Sequence, residues 1–205
     1  MIAVTIGVGD KYREMAELAA ASVRRHTGLQ PVIITETPGE PVPARWKLRL
    51  LDLYPDQTVL YFDGDARLLR PWNVAVFEGT PWPVVCQDWS SGARTADCKA
   101  FRIDPDRYFA SGFWIAGPAQ RDTWRRALII ATDPGYTTAF KYEQSALNTA
   151  CQRMGSPLVF LDRRHWWIAT IDHPAPLDTV CVALGGALDG PDRIAYDSAI
   201  ARAKL

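Results

Sequence analysis

The stretch Thr58-Val59-Leu60-Tyr61-Phe62-Asp63-Gly64-Asp65 constrains this chain more than any other. Its uncharged run of β-branched, aromatic and aliphatic residues reads as a strand buried on both faces, the kind that fills a parallel sheet covered by helices. The run stops at two carboxylates separated by one glycine. In an open α/β sheet, ligands bind outside the carboxyl ends of the strands. Residues at i and i+2 of an extended segment share a side, and Gly64 leaves the space between Asp63 and Asp65 without a side chain. Such a pair suits a hard divalent cation, Mg²⁺ or Mn²⁺, which takes carboxylate oxygens and shares them with phosphates. The same residues also suit a plain turn, where Asp and Gly are favoured for their backbone preferences.

Composition narrows the class. With 205 residues, 48% of them hydrophobic and 22% charged, the chain is expected to be one globular domain with a substantial core. A formal net charge of zero excludes a global basic field for nucleic acid or membrane. A local basic face from Arg24-Arg25, Arg125-Arg126 and Arg163-Arg164 stays open. Cys86, Cys98, Cys151 and Cys181 have no C-x-x-C spacing and read as reduced, buried thiols of a cytoplasmic protein. The apolar start from Met1 to Gly9 is too short for a signal sequence, and no run reaches the length of a membrane span. The eight tryptophans are either core or stacking platforms for sugars or bases.

Along the chain, Ile2 to Ile6 predicts a first strand. Gly7-Val8-Gly9 turns it into a helix capped by Asp10 and closed by Gly28, and Pro31 to Thr35 predicts a second strand. After the Pro-rich segment Thr37 to Pro43, a helix is expected from Ala44 to Tyr54, with Trp46, Leu50, Leu53 and Tyr54 on one face. Strand, helix, strand, helix, strand is the order of a parallel α/β half-domain. Further strands are expected at Pro83 to Cys86, Phe113 to Ala116 and Pro157 to Leu161, and helices from Pro118 to Thr132 and Tyr142 to Met154. Ser90 to Lys99 reads as a mobile loop. The tail from Asp162, with Trp166-Trp167, His173 and Gly185-Gly186, carries no periodic signal.

Four motifs in order carry a resemblance: Ala44-Arg45-Trp46-Lys47-Leu48, Val59 to Asp65, Tyr108-Phe109-Ala110-Ser111-Gly112, and Tyr142-Glu143-Gln144-Ser145-Ala146-Leu147-Asn148. Together they resemble the GT-A-fold glycosyltransferases of family 8, the glycogenin- and galactosyltransferase-like branch with its compact bacterial and phage relatives. That likeness implies a Rossmann-like α/β domain over residues 1–205, with a mostly parallel central sheet flanked by helices. Its nucleotide-binding half would cover about residues 1–90 and its acceptor-side half the remainder. The implied activity is that of a hexosyltransferase, moving a sugar from a nucleoside-diphosphate sugar, UDP-sugar first, to an acceptor hydroxyl with retention.

The resemblance also implies residue roles. Asp63 and Asp65, the Asp-x-Asp pair, would bind Mn²⁺ or Mg²⁺ on the donor diphosphate. Gly7, Gly9, Asp10 and Tyr12 would lie near the base and ribose. Lys47 or Arg45 would approach the ribose, phosphate or donor sugar, Gly64 would belong to the nucleotide-sugar site, and Ser111 and Gly112 would bring backbone close to the sugar or acceptor. Glu143 would bind sugar hydroxyls, and Gln144 would lie beside the anomeric carbon. The chain departs from the family pattern in two places. Glu143 stands where the family has Asp, and Asp172-His173-Pro174 lacks the Gly and Lys that accompany the family's third metal ligand. His173 is the candidate for that ligand, with His165 behind it.

A bound divalent ion would neutralise the departing diphosphate, and a nearby carboxylate or amide would stabilise an oxocarbenium-like centre. Were the enzyme inverting, Glu143 would be the candidate general base. Two other readings share the residues: a nucleotidyltransferase of related fold, and a non-catalytic nucleotide-sugar-binding protein. The acceptor stays open among saccharide, protein, small molecule and modified nucleic-acid base.

Overall fold

A computed structural model of the chain describes residues 1–88, 91–136, 142–169, 172–184 and 192–203. β1 (Ile2–Ile6) forms on the first apolar run, with Ala3, Val4 and Thr5 fully buried. It turns into α1 (Asp10–Thr27) through Gly9, whose φ of 84° lies in the left-handed region that favours glycine. Gly9 therefore holds the cap position. Asp10, expected as the cap, is instead the first helical residue. At the other end Gly28, with φ 76°, donates its N–H to the Arg24 carbonyl at 3.0 Å and stops the helix as expected. β2 (Val32–Ile34) then lies parallel to β1, with Val4 opposite Val32.

The expected helix from Ala44 to Tyr54 is split. Residues Pro43–Arg49 form a 3₁₀ helix, and only Leu50–Leu53 continue as α2. The tighter winding, three residues per turn, moves the buried stripe onto Lys47, Leu48, Leu50 and Leu51 and leaves Leu53 exposed. β3 (Val59–Phe62) is buried at every residue, as an uncharged central strand should be.

The remaining elements are β4 (Arg67–Leu68), β5 (Val84–Gln87), α3 (Ser91–Phe101), β6 (Phe109–Ala116), α4 (Arg121–Thr132), α5 (Tyr142–Arg153), β7 (Val159–Leu161), β8 (Trp167–Ala169), β9 (Cys181–Leu184) and α6 (Asp192–Ala203). The strands form a six-stranded, mostly parallel sheet ordered β2-β1-β3-β6-β5-β7, and a three-stranded sheet ordered β4-β9-β8. This is the flanked α/β architecture expected. A further expectation fails, and a stretch without an assignment gains one. The segment read as a mobile loop is the helix α3, where Ala96, Lys99 and Ala100 favour helix and Asp97 and Cys98 are buried. The tail without periodic signal supplies β8, β9 and α6. Gly185-Gly186 lies outside the described residues.

Two compact units are built from these elements. The first comprises Met1, Thr37–Tyr61 and Phe77–Phe160, and the second Ile2–Glu36, Phe62–Val76 and Leu161–Leu205. In the first, Trp114 stacks on Tyr61 at 5.4 Å between ring centroids and meets Trp124 edge-on at 5.0 Å. In the second, Ala16, Ala19, Ala20 and Val23 of α1 are buried, and Tyr196 and Ala199 of α6 pack with Val182 and Leu184 of β9. All four cysteines are free and buried, as expected, and burial pushes the Cys151 thiol up to about 12. Among the described residues, no helix is long and apolar enough to cross a membrane.

Gly7 is fixed by packing. A Cβ there would stand 2.7 Å from the Ala16 Cβ, 2.8 Å from the Tyr12 carbonyl oxygen and 3.0 Å from the Arg13 Cα. Gly7→Ala should cost about 1–3 kcal/mol by overpacking. Differential scanning calorimetry should read this as a melting point lower by roughly 2–4 °C per kcal/mol.

Candidate functional site

In the second unit, the two carboxylates sit on the turn that leaves β3. The Ala66 N–H donates to the Asp63 carbonyl at 3.0 Å and closes the turn. The Arg67 guanidinium donates to the carbonyls of Gly64 at 2.9 Å and Ala66 at 2.7 Å, and the Tyr196 hydroxyl donates to the Asp65 carbonyl at 2.6 Å. Main-chain oxygens are thus tied down while Asp63 and Asp65 remain half-buried. Gly64 is held close to α1: a Cβ there would lie 3.4 Å from the Ala16 N and 3.5 Å from the Ile6 carbonyl oxygen.

Arg67, after the turn, is buried, with 8% exposure. Burial pulls its pKa down, against the opposing pull of Tyr196 and Asp65. Burial likewise pushes the Tyr196 phenol up, so it keeps the proton it donates. Two carboxylates on one short turn are a hard-oxygen donor set, which fits Mn²⁺ or Mg²⁺ with phosphate and water completing the shell. Among the described residues, no group of three or more His, Cys, Asp or Glu side chains is gathered for a metal. His173 is exposed, and its carbonyl accepts from the Trp167 indole at 3.1 Å. His165 packs its ring against Trp72 at 5.2 Å, and Trp166, beside it in sequence, is buried in the core. Asp10 and Tyr12 are exposed at the start of α1, leaving the Tyr12 ring accessible for stacking.

In the first unit, Lys47, Ser111, Glu143 and Gln144 form one cluster, and a break in strand register makes it possible. β5 pairs antiparallel with β6, Val85 opposite Trp114, but Cys86 is opposite Ala110. Ser111, Gly112 and Phe113 are therefore skipped in the pairing with β5. The Ser111 N–H donates to Gln144 Oε1 at 3.0 Å, and the Ser111 carbonyl accepts from Lys47 Nζ at 3.4 Å. The Ser111 hydroxyl donates to Glu143 Oε1 at 3.2 Å, and Lys47 pairs with the same oxygen at 3.4 Å. Lys47 is only 2% exposed, with its ammonium 4.8 Å from the Tyr61 ring centroid. Arg45 instead pairs with Glu40 at 3.8 Å.

The other end of the Gln144 amide is held too. Its Nε2 donates to Asp88 Oδ2 at 2.6 Å and to the Tyr108 hydroxyl at 3.3 Å, and Tyr108 donates to Asp97 Oδ2 at 3.0 Å. Burial raises the Tyr108 pKa, and Asp97 adds to the rise. Asn148 exchanges hydrogen bonds of 2.9 Å with both the N–H and the carbonyl of Phe109, anchoring α5 to β6. Asp88, Asp97 and Tyr108 were given no role from sequence. Asp88 carried a usable signal, an acid directly after a buried strand, the same signal that marked Asp63.

No known family model matches the chain, and no curated protein does. Solved structures do match. The galactosyltransferase LgtC, solved with donor and acceptor sugar analogues, is 14% identical at a TM-score of 0.68, over 100% of this chain and 95% of that one. An active-site mutant of LgtC with Glu in place of Gln is 14% identical at 0.64, over 98% and 95%. A glycosyltransferase involved in glycosylation of the major capsid of PBCV-1 is 9% identical at 0.62, over 97% and 98%. The fold is GT-A. On that GT-A frame the Asp-Gly-Asp turn follows β3, and the Glu143-Gln144 pair opens α5.

The Lys47–Glu143 pair is the most deeply buried ion pair of the cluster, with side-chain exposures of 3% and 13%. Lys47→Met should destabilise at the low end of the roughly 3–5 kcal/mol that an orphaned buried charge costs, since Glu143 keeps some access to water. Adding Glu143→Gln should recover part of the loss. Urea denaturation of both single variants and the double variant reads the coupling.

Proposed function

We propose that the chain is a glycosyltransferase that moves a sugar from a nucleoside-diphosphate sugar, UDP-sugar first, to an acceptor hydroxyl with retention, and that it depends on Mn²⁺ or Mg²⁺. The observation that carries this reading is the clamped Gln144 amide beside Glu143, Ser111 and Lys47, on a fold shared with glycosyltransferases. LgtC, solved with donor and acceptor sugar analogues, has a glutamine in its active site, and the proposal gives Gln144 the corresponding place.

Asp63 and Asp65 would hold the cation, which when bound neutralises the departing diphosphate. Tyr12 offers an exposed ring for the base, with Asp10 beside it for the ribose. The Lys47 charge, fixed by Glu143, favours the donor's negative charge. Among the described residues, Lys47 and Ser111 both bond Glu143 at Oε1, which leaves Oε2 for a sugar hydroxyl. Gln144 presents its amide in one orientation, since Ser111 donates to its oxygen and Asp88 accepts from its nitrogen. A polar group held rigidly beside the anomeric carbon stabilises developing positive charge without reorganising during the reaction.

A screen of UDP-, GDP- and CMP-sugars with Mn²⁺, read by nucleotide release, should single out UDP-sugars. Chelation should abolish the signal, and Asp65→Asn should lower turnover by about 10²-fold or more. Unchanged turnover in Asp65→Asn would remove the metal assignment. A folded protein that binds UDP with Mn²⁺ but turns over no donor would leave the non-catalytic reading in its place.

A further inference from the structure

Behind the Asp63–Asp65 turn, the second unit contains a cavity of about 590 Å³ between α1, β4 and α6. Its apolar walls include Leu18, Leu68 and Ile200, and its charged groups are Arg25, His26, Arg67, Arg193 and Asp197. The balance is unequal. Arg193 is neutralised by Asp197, with its Nε at 2.8 Å from both carboxylate oxygens. Arg67 and Arg25 form no ion pair among the described residues; the Arg67 guanidinium donates to the carbonyls of Gly64 and Ala66, and the charge of Asp65 offsets its burial only in part.

A charge buried to the extent of Arg67 is ordinarily paired. Here two guanidiniums also flank a single ring: the Cζ atoms of Arg67 and Arg193 lie 5.9 and 5.7 Å from the Tyr196 ring centroid. Asp197 offsets the Arg193 charge, so the cost that a bound anion would relieve is chiefly the burial of the Arg67 guanidinium. The volume is that of a small-molecule site, and a mainly apolar wall with a few fixed charges is the composition such sites have.

We propose that this cavity binds an organic anion: a carboxylate or phosphate head facing Arg67, Arg193 and Arg25, on an apolar body that lies along Leu18, Leu68 and Ile200. A bare inorganic ion would leave the apolar wall wet, and an uncharged apolar body would leave Arg67 and Arg25 without an ion-pair partner. Asp63 and Asp65 do not line the cavity, but Arg67 and Tyr196 reach from its wall to the carbonyls of Gly64 and Asp65. The proposal stands whether or not the chain transfers sugars.

Isothermal titration of the full chain, below micelle concentrations, tests it with four probes: decanoate, decyl phosphate, decanol and inorganic phosphate. At least one decyl anion should bind about 10-fold or more tighter than decanol and than inorganic phosphate, a difference of roughly 1.4 kcal/mol. The stronger of the two anions tells a carboxylate ligand from a phosphate one. Leu18→Glu, at a position 53% exposed where the fold has little at stake, should abolish the binding, and Arg25→Gln should weaken it several-fold. Equal binding of decanol would reduce the cavity to an apolar groove, and equal binding of inorganic phosphate would reduce it to a surface ion site. Either result overturns the proposal, as does decyl-anion binding unchanged in both variants or absent from the native chain.

Discussion

The polar cluster of the first unit depends on an interruption of the sheet. Continuous pairing between β5 and β6 would engage the main chain of Ser111 along the ladder. The jump in partner from Trp114 to Ala110 instead leaves a segment whose N–H and carbonyl meet side chains, Gln144 on one side and Lys47 on the other. Buried main-chain groups must find partners somewhere, so the break requires polar side chains exactly where an uninterrupted strand would exclude them. Gln144 and Asn148, one helical turn apart on α5, meet that requirement, and the ion pair of Lys47 with Glu143 follows from the same geometry.

Much of this was readable in the sequence, for identifiable reasons. β1, β3 and β6 are apolar runs with no competing period, and they formed where expected, β6 extending back to Phe109. The Asp-Gly-Asp stop and the Glu143-Gln144 pair stood out because polar residues next to buried elements are costly unless they have a task or a partner. The failures share a cause as well. The winding of Pro43–Arg49 is decided by prolines that propensity handles only as breakers, and the change of period put Lys47 inside. The helix α3 hides in a small, polar stretch because its inward face mixes Asp97, whose Oδ2 accepts from Tyr108 and Ser145, with Cys98, which packs beside Ile103 and Tyr108. β8 and β9 are short strands in an aromatic and Pro-rich tail, held by tertiary pairing that no local period announces.

The three solved structures compared with the chain share 9–14% of residues with it. Cores tolerate wide exchange of side chains while volume and pattern are kept, so a fold persists at that distance.

Ala16 touches the positions of both glycines that shape the second unit's turns. Its Cβ lies where a side chain on Gly7 would be, and its backbone lies against Gly64. With no side chain between them to take up slack, a displacement of α1 along its axis is transmitted to both turns at once. The turn after β1 and the carboxylate turn after β3 should therefore move as one rigid body, with matched amide exchange rates, rather than as two independent loops.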